Sequence, residues 1–369
     1  MKTGVLAVLA AVAALGCGGG PRTTVTTRSA PAPKLEVQGS PVAVFDAATG
    51  KTTVSLDFLA RAADGKPLDT ATLKVTRLVD DRLADVESTA DVKDTRLATN
   101  LTIGMVLDVS YSLMTWTPPA FAPMKQAAAD SAKAIRAQFA QWNSGSLAIA
   151  AAWFQDQYVC EAATSGVQAD TGLLNIPAPQ PGDATKLYAA TAGAIDRLAQ
   201  AQAASAGTAR DHFALVVFTD GYDNYSWHDD SALAPKQVPV TGGTFDCRGP
   251  PATTLQQVLD KLAAFPQLKV YVIGLGNQVN TAELQRLVST GGGRLVSSAD
   301  SGDVAALFTD VTREFTTVRR DGIKMPLQPG RYEYTEEVTT VEGGKARIRF
   351  GFTAGDPSAA VDLASIRYE

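Results

Sequence analysis

Asp108, Ser110 and Ser112 follow directly on a nearly continuous apolar run, residues 101–107, in the order Asp-x-Ser-x-Ser. Such a run is the pattern of a strand buried on both faces of a parallel sheet. The three small oxygen-bearing side chains therefore converge on the turn at the strand's carboxyl end, the edge at which open α/β sheets bind ligands. One carboxylate and two hydroxyls are hard donors, suited to Mg²⁺, Mn²⁺ or Ca²⁺ and poorly suited to zinc or copper. The same residues also suit a polar turn in which Asp or Ser caps the next helix. A second carboxylate, Asp220, ends another apolar strand, residues 213–218, within Thr219-Asp220-Gly221. Carboxyl ends of neighbouring parallel strands share one sheet edge, so Asp108 and Asp220 can face one ion. Thr185 stands just before a helical pattern on the same edge, where it is a ligand candidate or simply the helix N-cap.

Enzymatic readings fit less well. An aspartate-nucleophile phosphoryl-transfer enzyme needs a second carboxylate two residues after the first, and Ser110 stands there. A Ser-His-Asp hydrolase needs a His as base, and the chain has two, His212 and His228. His212 begins a buried strand and reads as structural. His228 lies in a loop, but no G-x-S-x-G elbow accompanies it. The expectation is a binding protein and not an enzyme.

The elements that must position these residues alternate buried strand and amphipathic helix from 99 to 320. Strands are expected at 101–107, 147–154, 213–218, 270–274 and 293–296, with 157–160 continuing the second as an antiparallel edge. Ala128, Ala132, Ile135 and Phe139 fall at helical spacing, as do Leu187, Thr191, Ala194 and Leu198. Further helix faces run through 255–262, 284–288 and 304–318, the last with Ser301 or Asp303 near its start. This is a doubly wound, mostly parallel α/β pattern. The flanks have period two instead. Val54, Leu56 and Phe58 alternate with polar residues, as do Leu73 and Val75, and Asp64-Gly65 is a hairpin signal between them. Ala346, Ile348, Phe350 and Phe352 do the same near the C-terminus, after a Gly343-Gly344 turn and a strand carrying Tyr332 and Tyr334. Neither flank has enough strands for a stable sheet of its own. Residues 35–98 and 321–369 are therefore expected to pair into one small antiparallel β domain that carries the central region as an insertion.

Asp108-x-Ser110-x-Ser112, Thr185 before Leu187-Tyr188, and Thr219-Asp220-Gly221 after an apolar strand together resemble the von Willebrand factor A family and its metal-ion-dependent adhesion site. The resemblance covers 99–320. It implies a Rossmann-like fold and a site in which Ser110, Ser112 and sometimes Thr185 bind the ion directly, while Asp108 and Asp220 act directly or through water. It also implies Mg²⁺ (or Mn²⁺ or Ca²⁺) as the ion, and a protein ligand whose Asp or Glu fills the open coordination position. The alternative is a metal-free periplasmic assembly or scaffold protein that uses the same domain for interaction. The chain departs from the pattern after Asp220, where residues 221–252 form a long connection rich in aromatic and acidic residues. It suits a partner surface or a solvated loop held down by Cys247. Asp223, Asp229 and Asp230 have the chemistry for Ca²⁺ but fit no known loop spacing.

The N-terminus bears on location. Lys2 precedes an apolar stretch, residues 4–16, too short to span a bilayer as a mature helix, so 1–16 reads as a secretory signal. The sequence Ala14-Leu15-Gly16-Cys17 resembles the lipobox of bacterial lipoproteins, although Leu is commoner than Ala three residues before the Cys. The other reading is an ordinary secretory signal with an incidental Cys. Residues 17–34 read as a flexible tether. The expectation is a lipid-anchored protein of the bacterial cell envelope, at the periplasm or the cell surface, reaching the membrane through acylated Cys17. Cys160 and Cys247 are then an even pair in an oxidising compartment, consistent with one bridge. The net charge of −5 with no basic stripe argues against a nucleic-acid partner.

Overall fold

The computed structural model describes residues 30–38, 40–83, 87–88, 100–142, 145–155, 157–162, 169–180, 184–205, 211–240, 243–277 and 279–369. The secretory signal, Cys17 and most of the tether lie outside the described residues.

In chain order the strands of the N-terminal arm are β1 (Lys34–Val37), β2 (Val42–Asp46), β3 (Lys51–Arg61), β4 (Lys74–Val79), β5 (Arg82–Leu83) and β6 (Glu87–Ser88). The central region follows with β7 (Asn100–Asp108), α1 (Ser112–Thr115), α2 (Phe121–Trp142), β8 (Leu147–Gln155), β9 (Tyr158–Ala162), α3 (Ala169–Leu174), α4 (Leu187–Ala204) and β10 (Asp211–Thr219). It continues through β11 (Lys236–Val240), β12 (Gly243–Arg248), α5 (Leu255–Ala263), β13 (Leu268–Leu275), α6 (Thr281–Thr290), β14 (Arg294–Ser298) and α7 (Val304–Thr316). The C-terminal arm is β15 (Arg319–Met325), β16 (Gly330–Thr339), β17 (Lys345–Ala354) and β18 (Ala360–Tyr368).

The central sheet has eight strands in the order β11-β12-β9-β8-β7-β10-β13-β14. The five from β8 to β14 are parallel, and β9, β12 and β11 add an antiparallel edge. Side-chain alternation along each strand splits the core in two. Ile103, Met105 and Leu107 pack with Ala214, Val216 and Phe218 under α2 and α7. Val106, Leu215, Val217 and Val272 face α4, α5 and α6 on the other side. The fold is thus a doubly wound, mostly parallel α/β sheet, as the apolar runs predict.

Four details differ from expectation. The segment 221–252 is not one open connection. Its second half is the hairpin of β11 and β12, whose Phe245 and Cys247 are buried; Pro239 is tolerated because β11 is the outermost strand, where a missing N–H breaks no ladder. The arms do pair with each other, but as two antiparallel sheets sharing one core. C-terminal β15 lies between β3 and β6, and N-terminal β4 pairs with β16. Asp64-Gly65 does form a turn, with Gly65 at φ +82°, yet β3 and β4 belong to different sheets. The turn folds the chain back on the end of β3, with an antiparallel bridge between Arg61 and Pro67 and the Leu68 N–H donating to the Ala60 carbonyl at 2.8 Å, and then passes it to the other layer. Finally, the central region ends earlier than residue 320, because Arg319 and Arg320 already pair with Phe58 and Asp57.

Candidate metal centre

Asp108 is the last residue of β7 and is fully buried. Its Oδ1 accepts the backbone N–H of Ser110 at 2.9 Å, and its Oδ2 accepts the Thr219 hydroxyl at 2.8 Å. Thr219 ends β10, which pairs in parallel with β7, so Asp220 emerges on the same sheet edge. Asp220 Oδ1 accepts from Ser112 Oγ at 3.0 Å and from Ser110 Oγ at 3.3 Å, and the two serine hydroxyls lie 2.9 Å apart. The four residues therefore form one connected cluster. Asp108 is its floor, and exposed Ser112, at the start of the one-turn helix α1, is its mouth.

Trp116 completes the cluster and was not anticipated. Its indole N–H donates to Asp220 Oδ2 at 3.1 Å. Its ring rests against Gly276, which follows β13 at φ +101°; a Cβ there would meet the ring at 2.4 Å. A Trp four residues after Ser112 was the available signal, but nothing in its spacing tied it to Asp220.

Thr185 is buried, but it joins a different set of bonds. Its N–H donates to Asn224 Oδ1 at 2.8 Å, and its carbonyl accepts the N–H groups of Asn224 and Tyr225. None of the hydrogen bonds that join Asp108, Ser110, Ser112 and Asp220 includes it. Nor is it the N-cap of α4: that position is Lys186, whose side chain makes no capping bond. The first amides of α4 are capped from the loop instead. Asp223 Oδ2 accepts the Tyr188 N–H at 2.8 Å and Ser226 Oγ accepts that of Ala189 at 3.0 Å. Buried Lys186 pairs with Asp230 and lies 4.7 Å from the centre of the Tyr225 ring. Asp229 accepts from Ser231. The three loop aspartates thus hold three separate structural positions and do not form a calcium loop. His228 stacks on Tyr225 and Trp227 at 4.1 and 3.8 Å between ring centres. His212, at the start of β10, lines a cavity at the opposite edge of the sheet.

The electrostatics of the cluster are one-sided. Every described donor to Asp108 and Asp220 is neutral: hydroxyls, a backbone amide and an indole. Burial pushes Asp108 up to about 7, with the Asp220 charge adding to it against the hydrogen bonds from Thr219 and Ser110. Burial also raises Asp220, opposed by hydrogen bonds from Ser112, Trp116 and Ser110. Two buried carboxylates with no cationic partner and two hydroxyls between them fit a hard divalent cation. Among the described residues no group of three or more His, Cys, Asp and Glu side chains is arranged to hold a metal ion. The rest of an ion's shell would therefore come from hydroxyls and water, which suits Mg²⁺ better than zinc.

Cys160 and Cys247 form a disulfide across facing positions of β9 and β12. It anchors the return limb of the segment that leaves Asp220.

The sequence matches no family model and no curated protein. Among solved structures the chain is similar to a von Willebrand factor type A protein from Catenulispora acidiphila, at 12% identity and a TM-score of 0.38 over 88% of this chain and 74% of that one. It is similar to the manganese-loaded TRAP protein of Plasmodium vivax, at 12% identity and a TM-score of 0.38 over 73% of this chain and 92% of that one. It is also similar to proximal thread matrix protein 1 of the mussel byssus, at 14% identity and a TM-score of 0.40 over 69% of this chain; the match spans about half (51%) of the byssus protein's length.

Proposed function

We propose that the central region is an interaction module of the von Willebrand factor A type that binds a protein ligand through a divalent cation, Mg²⁺ or its relatives Mn²⁺ and Ca²⁺. The observation that carries this reading is the pair of buried carboxylates, Asp108 and Asp220, bridged by Ser110 and Ser112 and lacking any cationic partner among the described residues. Asp108, Ser110, Ser112 and Asp220 would hold the ion, and Thr185 is the fifth residue of the motif. When bound, the ion supplies a Lewis-acidic position that a ligand's Asp or Glu carboxylate can occupy. Asp108 and Asp220 offset its charge, Ser110 and Ser112 supply neutral oxygens, and Trp116 keeps Asp220 Oδ1 turned toward the serines. We propose no enzymatic activity for the cluster. The module would sit in the bacterial cell envelope on a lipid attached to Cys17, with residues 18–34 as its tether and no role for nucleic acid.

The test is thermal unfolding with and without metal. A ligand that binds the native state alone stabilises it by RT ln(1 + [L]/Kd), about 2.7 kcal/mol at a hundredfold excess over Kd. Millimolar Mg²⁺ or Mn²⁺ should raise the melting temperature of the wild type and leave Asp108→Ala unmoved. Apo Asp108→Ala should melt no lower than the apo wild type, because the carboxylate repulsion is gone. No shift in the wild type would leave the metal-free assembly or scaffold module as the function. Cys17→Ser should move the protein from the membrane fraction to the soluble fraction; membrane retention of the variant would count against the lipid anchor.

A further inference from the structure

Among the described residues eight large hydrophobic side chains stand exposed. Four of them scatter over α3, a β turn and β18. The other four, Tyr111, Met114, Tyr222 and Trp227, sit on the two segments that carry the cluster. Tyr111 lies between Ser110 and Ser112, Met114 is on α1, and Tyr222 and Trp227 follow Asp220. Their exposures are 37%, 39%, 52% and 66%. Single exposed hydrophobics are ordinary, but four on the two short segments that carry one polar cluster mark an interaction surface.

This rim is held in place. The loop carrying Tyr222 and Trp227 is bonded to α4 through Asp223 and Ser226 and to Thr185 through Asn224. It is tied to the chain before α5 by the Thr253 N–H to the Ser226 carbonyl at 2.6 Å and the Asp230 N–H to the Pro250 carbonyl at 3.0 Å. The Trp227 indole N–H donates to the Asn224 carbonyl at 3.2 Å, and one face of its ring lies on His228. The loop thus spends its polar groups on internal bonds and presents its aromatic rings outward. A rigid Trp or Tyr beside a cleft offers contact area with little ordering entropy left to lose on binding.

We infer that Tyr111, Met114, Tyr222 and Trp227 form the specificity rim of the site, and that its partner is a protein segment in which the acidic residue is flanked within two positions by aromatic or large aliphatic side chains. The inference rests on the proposed cation-dependent site: the cation takes the carboxylate, and the rim takes the neighbours. A polar acidic segment would gain the first contact and forgo the second.

The full chain is immobilised and panned in Mg²⁺ and in EDTA against a seven-residue peptide library with a fixed central Asp and all other positions randomised. Peptides retained in Mg²⁺ should be enriched in Phe, Trp, Tyr, Leu or Met next to the Asp. A representative enriched peptide should lose at least tenfold in affinity for Trp227→Ser and for Tyr222→Ser. Mn²⁺ affinity of both variants, measured by calorimetry, should stay within twofold of wild type, which also shows that they are folded. Retention that needs Mg²⁺ and the Asp but shows no apolar preference overturns the rim and leaves the metal site standing. Retention of apolar peptides that survives EDTA, or replacement of the Asp by Asn, overturns the coupling between rim and cation. No Mg²⁺-dependent retention, together with no Mn²⁺ binding by the wild type, removes the site itself and the inference with it.

Discussion

The indole of Trp116 contributes to the cluster in two separable ways: its N–H to Asp220 Oδ2 and its ring against Gly276. Trp116→Phe keeps most of the ring and removes the donor. A hydrogen bond to a charged acceptor at a largely buried site is worth about 1.5–3 kcal/mol, and Trp116 is only half-buried, so a loss of about 1–2 kcal/mol is expected in EDTA. Gly276→Ala should cost at least as much for a steric reason. Its Cβ would displace the ring, and a φ of +101° is itself strained for alanine. Urea unfolding of both variants checks this, and a Trp116→Phe midpoint equal to wild type would show that the N–H holds nothing in place. Asp108, Ser110, Ser112 and Asp220 were readable as a group because strand ends in a parallel sheet meet at one edge. Trp116 was not, because the link to Asp220 depends on the path of the turn after α1. Thr185 was legible as a position near the edge, while its bonds to Asn224 depend on a loop more than 35 residues further along the chain.

At the level of elements, α4 shows how a helix can begin without a local cap. Lys186 offers no side-chain acceptor, and the amides of Tyr188 and Ala189 are satisfied by Asp223 and Ser226. Asp223→Ala should therefore act as the loss of an N-cap, about 1–2 kcal/mol. It should also loosen the loop that holds Thr185, seen as faster amide hydrogen exchange at 222–227; unchanged exchange there would refute the link. Strand β16 carries a different burden. Glu336 faces the core of the arms, fully buried. Tyr334 O–H donates to its Oε2, Asp321 lies near with Arg77 and Arg319 bonded to it, and its Oε1 has no hydrogen-bond partner among the described residues. Burial and the Asp321 charge push Glu336 from 4.5 up to about 8. Native Glu336 therefore keeps a proton that the unfolded chain releases between those pH values. Its contribution is fully present below about 4.5, is lost as pH rises toward about 8, and is flat above, at up to about 1.4 kcal/mol per pH unit within the window. Glu336→Gln should flatten the stability of the wild type between pH 5 and 8 and exceed it at pH 8; denaturant titrations that stay parallel would exclude the effect. The alternation in β17 was plain in the sequence, with Ala346, Ile348, Phe350 and Phe352 all buried. The division of the arms into two sheets was not, because period two says which face is buried and not which strand is the neighbour.

Over the whole molecule, what joins the central region to the arms is a set of buried charges at the sheet edge away from the cluster. Glu314, near the end of α7, is fully buried and accepts both terminal nitrogens of Arg61 on β3, at 2.9 and 2.6 Å, while Arg294 on β14 lies 3.0 Å away. Arg61 also reaches Glu36 on β1 at 3.0 Å. Arg320 on β15 grips Asp57 on β3 with two bonds, at 2.8 and 3.0 Å, both side chains almost fully buried. One acid on the last helix of the insertion thus binds the strand that holds both arms together. Breaking a buried pair by removing one member costs about 3–5 kcal/mol, because the remaining charge stays buried and unpaired. Glu314→Ala leaves two guanidinium groups facing each other and should sit at the upper end of that range. Arg61→Ala leaves Glu314 with Arg294 and should cost less. If Glu314 is the connection, its loss should also change the form of unfolding. The wild type should unfold in one calorimetric transition, and Glu314→Ala in two, the arms separating from the disulfide-braced central sheet. Mn²⁺ affinity should change by less than twofold, since Glu314 lines a cavity with Leu101 and His212 at the starting ends of β7 and β10, whereas the cluster lies at their far ends. A single transition in Glu314→Ala, shifted only in temperature, would mean that apolar packing alone couples the two regions.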